Sequence, residues 1–228
     1  MKRIGLLSDT HSFLDERVKK HLKDCDEIWH AGDIGNIEVT DELSKIAPLR
    51  AVYGNIDGAE LRSTFCENLH FTIEGLKVFI THIGGRPPRF TPGILSYLKD
   101  INPNVFICGH SHILIAQFCP SFGGLHLNPG AAGIYGIHKV RTLMRFDISQ
   151  SGVSNLEVVE IKKIFKELVK NGERYDVDEI EFWFENEGTW NEKESRVRIT
   201  NLSSYVQDKH QQTAHLRMVT DDDCSCGN

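Results

Sequence analysis

Apolar positions in the first half of the chain form short runs, separated by stretches in which they recur at helical spacing. Residues 3–8 make a run that predicts a buried strand. Leu14, Val18, His21 and Leu22 then recur at helical spacing, which predicts a helix over residues 14–22. A second strand is predicted at residues 27–30, a second helix at 37–46 and a third strand at 49–53. This alternation predicts parallel strands joined by right-handed crossovers. The period then shortens to two. Residues 69–73 and 77–81 flank Glu74-Gly75-Leu76 and read as a tight hairpin. A helix over 93–100 and a buried strand over 104–108 come next, and further strands are predicted at 115–118, 124–127, 142–148 and 155–161. The expectation is two packed sheets with helices outside.

Beyond residue 160 the pattern changes. Ile161, Ile164, Phe165, Leu168 and Val169 have the spacing of an amphipathic helix. Ile180, Phe182 and Phe184 alternate as in a strand, as do Val197 with Ile199, and Ala214, Leu216 and Met218. The chain therefore divides into a domain over residues 1–160 and a small α+β extension over 161–228. The extension is short for a core of its own. It is expected to pack on the main domain or on a second subunit, and residues 221–228, which open with Asp221-Asp222-Asp223, are expected to be disordered.

Composition narrows the functions. A net charge of −6 over 228 residues argues against a broad nucleic-acid-binding surface, although bound metal ions would add local positive charge. Ile4-Gly5-Leu6-Leu7 is too short for a signal peptide and no run has the length of a membrane span, so a cytoplasmic protein is expected. The six cysteines show no disulfide spacing. Cys108 lies in an apolar run and reads as an inert core thiol, while Cys224 and Cys226 lack two further ligands for zinc.

The candidate chemistry lies in Asp9-Thr10-His11, Gly32-Asp33, Gly54-Asn55, Thr81-His82 and Gly109-His110-Ser111-His112. Each segment comes directly after an apolar strand, where sites form in open α/β sheets. Asp9 and Asp33 offer hard oxygen, Asn55 a neutral carbonyl, and His11, His82, His110 and His112 imidazole nitrogen. Such a set suits manganese, iron, zinc or nickel. In an extended segment, D-x-H and H-x-H would each put both side chains on one side. Singly, each motif is commonplace. Their order and strand-end context together point to metal.

With these motifs the chain resembles the calcineurin-like metallophosphoesterases, and among them the small YfcE-type phosphodiesterases, over about residues 1–160. The resemblance implies a four-layer α/β/β/α sandwich. It implies two divalent metals, manganese first, with zinc, iron(II) or nickel as alternatives. Asp9, His11 and His112 would hold one, Asn55, His82 and His110 the other, and Asp33 would bridge them. It further implies that a metal-bridged hydroxide attacks phosphorus, with Asp33 and Asn55 in the catalytic set and a small phosphoester as substrate. Asn128-Pro129-Gly130 resembles another family turn near the site.

Many relatives carry histidine after the asparagine, where this chain has Gly54-Asn55-Ile56-Asp57, a departure that small YfcE-type members share. Ile56 can neither stabilise the transition state by hydrogen bonding nor protonate a leaving group. Esters with acidic leaving groups, such as nitrophenyl diesters, are therefore the expected substrates. Gly84-Gly85-Arg86-Pro87-Pro88-Arg89 offers either a phosphate clamp through Arg86 or Arg89, or a solvated loop. His126 and His138 are weaker candidates to replace that histidine and read first as structural hydrogen-bonders, while Asp57 reads as a helix cap or as a residue that orients a neighbour. Trp183, Phe184 and Trp190 could stack on a base but read first as core or interface residues, and the extension is expected to supply substrate contacts, a lid or a homo-oligomer contact. The alternative reading is a protein-binding scaffold of the same fold, after the example of the retromer subunit that has it.

Overall fold

The computed structural model describes residues 1–138 and 140–162 in full, and beyond them the backbone of four short strands. The chain divides into two compact units, Met1–Lys162 and Lys163–Asn228. The first runs β1 (Lys2–Leu7), α1 (Glu16–Leu22), β2 (Glu27–Ala31), α2 (Ile37–Ser44), β3 (Leu49–Val52), α3 (Ala59–Thr64), β4 (Asn68–Ile73) and β5 (Leu76–Thr81). It continues through β6 (Gly85–Arg86), β7 (Arg89–Phe90), α4 (Ile94–Ile101), β8 (Val105–Ile107), β9 (Leu114–Cys119), β10 (Gly124–Pro129), β11 (Val140–Ser149) and β12 (Gly152–Lys162). One five-stranded sheet has the order β12-β11-β1-β2-β3, and a second has β4-β5-β8-β10-β9.

The parallel β1-β2-β3 core results from the alternation of apolar runs with amphipathic helices. Strand alternation then sorts the apolar side chains. Ile4, Leu6 and Trp29 of the first sheet meet Val78, Ile80, Val105 and Ile107 of the second in a dry layer between the sheets. Leu7 and Ile28 face the other way, onto Val18 and Leu22 of α1, Val39 and Leu43 of α2 and Leu61 of α3. Phe79 and Phe106 likewise turn outward, onto Leu98 of α4. The Glu74-Gly75 turn has positive φ at both residues, 49° and 83°, as a two-residue hairpin loop requires. None of the described helices is long and apolar enough to cross a membrane.

Two expectations of local structure are corrected. The segment read as an amphipathic helix from Ile161 to Val169 is strand wherever it is described. Ile161 and Lys162 finish β12, paired with Arg141 and Val140, and Glu167–Lys170 (β13) pairs antiparallel with Glu173–Asp176 (β14). Long-range pairing with β11 outweighs a local 3.6-residue pattern, because Ile161 is buried there. The short helix α3 forms from residues with no helical periodicity and was not expected. In the second unit, Glu179–Phe184 (β15) pairs antiparallel with Ala214–Val219 (β16), in line with the alternation at those positions. The readings at Trp190, Val197, Ile199, Asp221 to Asp223, Cys224 and Cys226 fall outside the described residues.

Candidate metal centre

The predicted ligands lie on loops directly after the strands. Asp9 and His11 come after β1, Asp33 after β2, Asn55 after β3, His82 after β5, and His110 and His112 after β8. Because β1, β2 and β3 are mutually parallel, as are β5 and β8, the loops of each set leave a common sheet edge. The side chains gather into two groups. Asp9, His11 and His112 form one, and Asp33, His82 and His110 the other, with the ligand atoms of each group within 4.8 Å of one another. Asp33 faces both, since its Oδ1 is 3.1 Å from His82 Nε2 and its Oδ2 is 3.8 Å from His11 Nε2.

The backbone explains how the side chains converge. Asp9, His11, Asp33, His110 and His112 all have left-handed φ, between 47° and 65°. Non-glycine residues rarely adopt this conformation, and where they do so together the surrounding structure imposes it, commonly at a functional site. This corrects the reading of D-x-H and H-x-H as extended pairs. The Asp9 and His11 side chains do share a group. His110 and His112 separate into different groups, because the loop curls through a Ser111 N–H to Gly109 carbonyl bond of 2.7 Å.

The protonation pattern suits a cation. His82 Nδ1 donates to the Ala31 carbonyl at 2.8 Å, which leaves Nε2 bare unless the ring is charged, and that Nε2 points at Asp33 Oδ1. Burial lowers the pKa of His82, but Asp33 and Asp9 more than offset it, so the net shift is upward. Burial raises that of Asp33, yet His82 and the Ile56 N–H bring it below the ordinary carboxylate value. Asp9 Oδ1, His11 Nε2 and His82 Nε2 are buried without a hydrogen-bond partner, and Asp9 Oδ1 lies 3.2 Å from His112 Nε2. Buried polar atoms normally find partners. Hard oxygen and imidazole nitrogen lacking them, aimed at shared points, fit divalent metal ions.

Several side chains hold the loops in register. Asp57 is buried and caps no helix, since Gly58 is the N-cap of α3. Its Oδ2 accepts from the Gly54 and Ile34 N–H groups at 2.7 and 3.1 Å, and its Oδ1 from Gly35 N–H at 2.7 Å. It thus ties the Asn55 loop to the Asp33 loop, the orienting role that the sequence offers beside the favoured helix cap. A Cβ at Gly54 would overlap the Asp33 carboxylate, so glycine is required by close approach there. The family-like turn also has a mechanical role, with Asn128 Nδ2 donating to the Gly109 carbonyl at 2.8 Å and to Ser111 Oγ at 3.2 Å. Fully buried His30 accepts from Gly32 N–H and donates to Thr10 Oγ, and burial pulls its pKa down to about 4. Nothing in the motif pattern marked it, because its Thr10 partner lies on a loop 20 residues away.

Asn55 is exposed beside Asp33, its neighbour Ile56 donating a backbone N–H to Asp33 Oδ1 at 3.1 Å. Arg86 is exposed on the small β6–β7 hairpin that comes after His82. His126 is buried, with Nε2 3.3 Å from Cys108 Sγ and the ring stacked on Phe106, the structural placement expected of it. His138 stands against His112.

Residues 1–151 match the family model of the calcineurin-like phosphoesterase superfamily domain. A probable metallophosphoesterase of Methanothermobacter thermautotrophicus is 36% identical over 115 residues, 48% of this chain and 66% of that protein. Another, from Methanocaldococcus jannaschii, is 33% identical over 135 residues, 56% of this chain and 67% of its own length. The matches thus span about two thirds of these relatives. In fold, the chain is similar to a structure described as a novel archaeal phosphodiesterase (TM-score 0.58, 24% identity, 70% of this chain and 99% of that one). It is also similar to Zn-complexed Vps29 of Entamoeba histolytica (TM-score 0.56, 18% identity, 70% and 98%).

Proposed function

Because this chain belongs to the calcineurin-like phosphoesterase superfamily, we propose that it is a dinuclear metal-dependent phosphodiesterase with its catalytic domain in residues 1–160. The observation that carries the reading is the pair of ligand groups with Asp33 between them. Asp9, His11 and His112 would hold one ion, His82, His110 and Asn55 the other, and Asp33 would be shared between them. Manganese is the first choice of metal. Two ions so held would neutralise charge on phosphoryl oxygens and acidify an attacking water.

The chain's own residues set the rest. Asp33 and Asp9 are locked by backbone donors, so the site needs little reorganisation on binding phosphate. Arg86 binds a non-bridging oxygen from the exposed hairpin. Ile56 offers no proton, so the leaving group departs as an anion and must be acidic. Exposed Ile56, Ile83 and Ile113 are each the chain neighbour of a proposed ligand, and exposed Tyr135 packs 5.9 Å from the His11 ring. This apolar lip suits an aryl group. Bis-p-nitrophenyl phosphate should be hydrolysed faster than a simple alkyl phosphomonoester, with loss of turnover in Asp33→Ala and His110→Ala. Faster hydrolysis of the monoester would reject the diesterase assignment. The alternative, a protein-binding scaffold, is favoured by Ile56 and the exposed lip, and it requires turnover to be absent.

A further inference from the structure

His138 lies outside the ligand groups, yet its ring meets His112 edge to face, with centroids 5.1 Å apart and planes at 79°. Its Nε2 is 3.1 Å from the Gly133 carbonyl and its Nδ1 is 3.3 Å from His112 Nδ1. A carbonyl can only accept, so the proton of a neutral His138 sits on Nε2 and its Nδ1 is an acceptor. The His112 proton must then sit on Nδ1 and point at His138. That leaves His112 Nε2 as a lone pair, 3.2 Å from Asp9 Oδ1, which itself has no hydrogen-bond partner. Two acceptors held face to face are stable only with a cation between them.

The loop that carries His138 is shaped for this contact. Gly136 has φ +111°, and a Cβ there would overlap the His112 imidazole and crowd that of His138. The Gly133 carbonyl is anchored in turn, since the Gly133 N–H donates to the Asp9 carbonyl at 3.0 Å. A closed circuit therefore runs from Asp9 backbone to Gly133, to His138, to His112, and back to the Asp9 carboxylate.

We infer that His138 is a positioning residue, which fixes His112 in the Nδ1–H tautomer and aims its Nε2 at the metal position shared with Asp9 and His11. The inference rests on the dinuclear reading above, and it concerns one of the two metal positions only. Outer hydrogen-bond partners of this kind typically carry about 10- to 100-fold in metal affinity.

The test is calorimetric titration of the metal-stripped full-length protein with manganese chloride, for wild type, His138→Ala, His138→Asn and His112→Ala. The wild type should show two binding events, and His112→Ala identifies the one belonging to the Asp9 group. His138→Ala should weaken that same event by about 10- to 100-fold and leave the other unchanged. His138→Asn places an oxygen acceptor where Nδ1 stood, and should bind close to wild type. Unchanged affinities in His138→Ala, or an Asn variant as weak as the Ala variant, would overturn the role of His138 alone. A wild type lacking any event that His112→Ala removes would overturn the metal reading and this inference together.

Discussion

Replacing Asp57 with alanine should both destabilise the fold and loosen the metal centre. The carboxylate is 3% exposed and accepts three backbone N–H groups, from Gly54, Ile34 and Gly35. Each hydrogen bond to a charged acceptor contributes about 1.5–3 kcal/mol. The three do not add fully, because the Gly35 bond is only part-buried and its donor can recover water. A loss of about 3–4 kcal/mol in unfolding free energy is therefore expected, a large share of the ~5–15 kcal/mol that keeps a domain folded. Asparagine can keep its carbonyl toward Gly54 and Ile34, but then turns an NH2 toward the Gly35 donor, so about 2 kcal/mol should be lost. Urea unfolding at neutral pH measures both variants, and metal titration should show weaker binding in each. An alanine variant that unfolds within about 0.5 kcal/mol of wild type, the range of an ordinary surface change, would refute the clamp.

Three further outcomes are expected from the geometry. Gly54→Ala should abolish tight metal binding in a folded protein, because the new methyl displaces the Asp33 carboxylate; retained two-ion binding would show that the loop yields freely. Asp15 is half-buried, which raises its pKa, but hydrogen bonds and charge from Arg141 outweigh this and bring it from 3.8 to about 2. Its stabilisation is complete above the unfolded value and is lost as pH falls from about 4 to about 2, a loss of order 2 kcal/mol; Asp15→Asn should flatten stability in that window, and an unchanged pH slope would contradict the pairing. Cys108 is buried and its thiol is pushed up to about 12, so brief iodoacetamide treatment at pH 8 should label exposed Cys66 and spare Cys108. Peptide mass mapping that finds Cys108 modified first would count against its burial.

The residues of the centre were legible because metal chemistry restricts them to a few types, and because apolar strands announced where loops would leave the sheets. The same reading placed Asp33, His82 and the GHSH segment at one edge without any structure. What it missed depends on contacts between distant segments. Asp57 looks like a cap when only its neighbours are considered, and its three partners lie on two different loops. Arg141 sits within an apolar strand pattern, yet it is fully buried and salt-bridged to Asp15, 126 residues away. The left-handed turns at Asp9, His11, His110 and His112 could not be read from spacing, which suggested extended segments instead. The error at Ile161 has the same origin, because a helical period is a local signal and the pairing of Ile161 with Arg141 is not.

The central claim, that two ions flanking Asp33 carry phosphodiester hydrolysis, is tested most directly by adding metal back to stripped protein. Bis-p-nitrophenyl phosphate would be the substrate, with manganese, zinc, nickel or magnesium added singly and bound ions counted alongside the rate. Turnover that rises only as the second ion binds, and is absent in Asp33→Ala, is the predicted result. Tight binding of two ions with no turnover under any metal would contradict it, and would make the chain a metal-bearing scaffold instead.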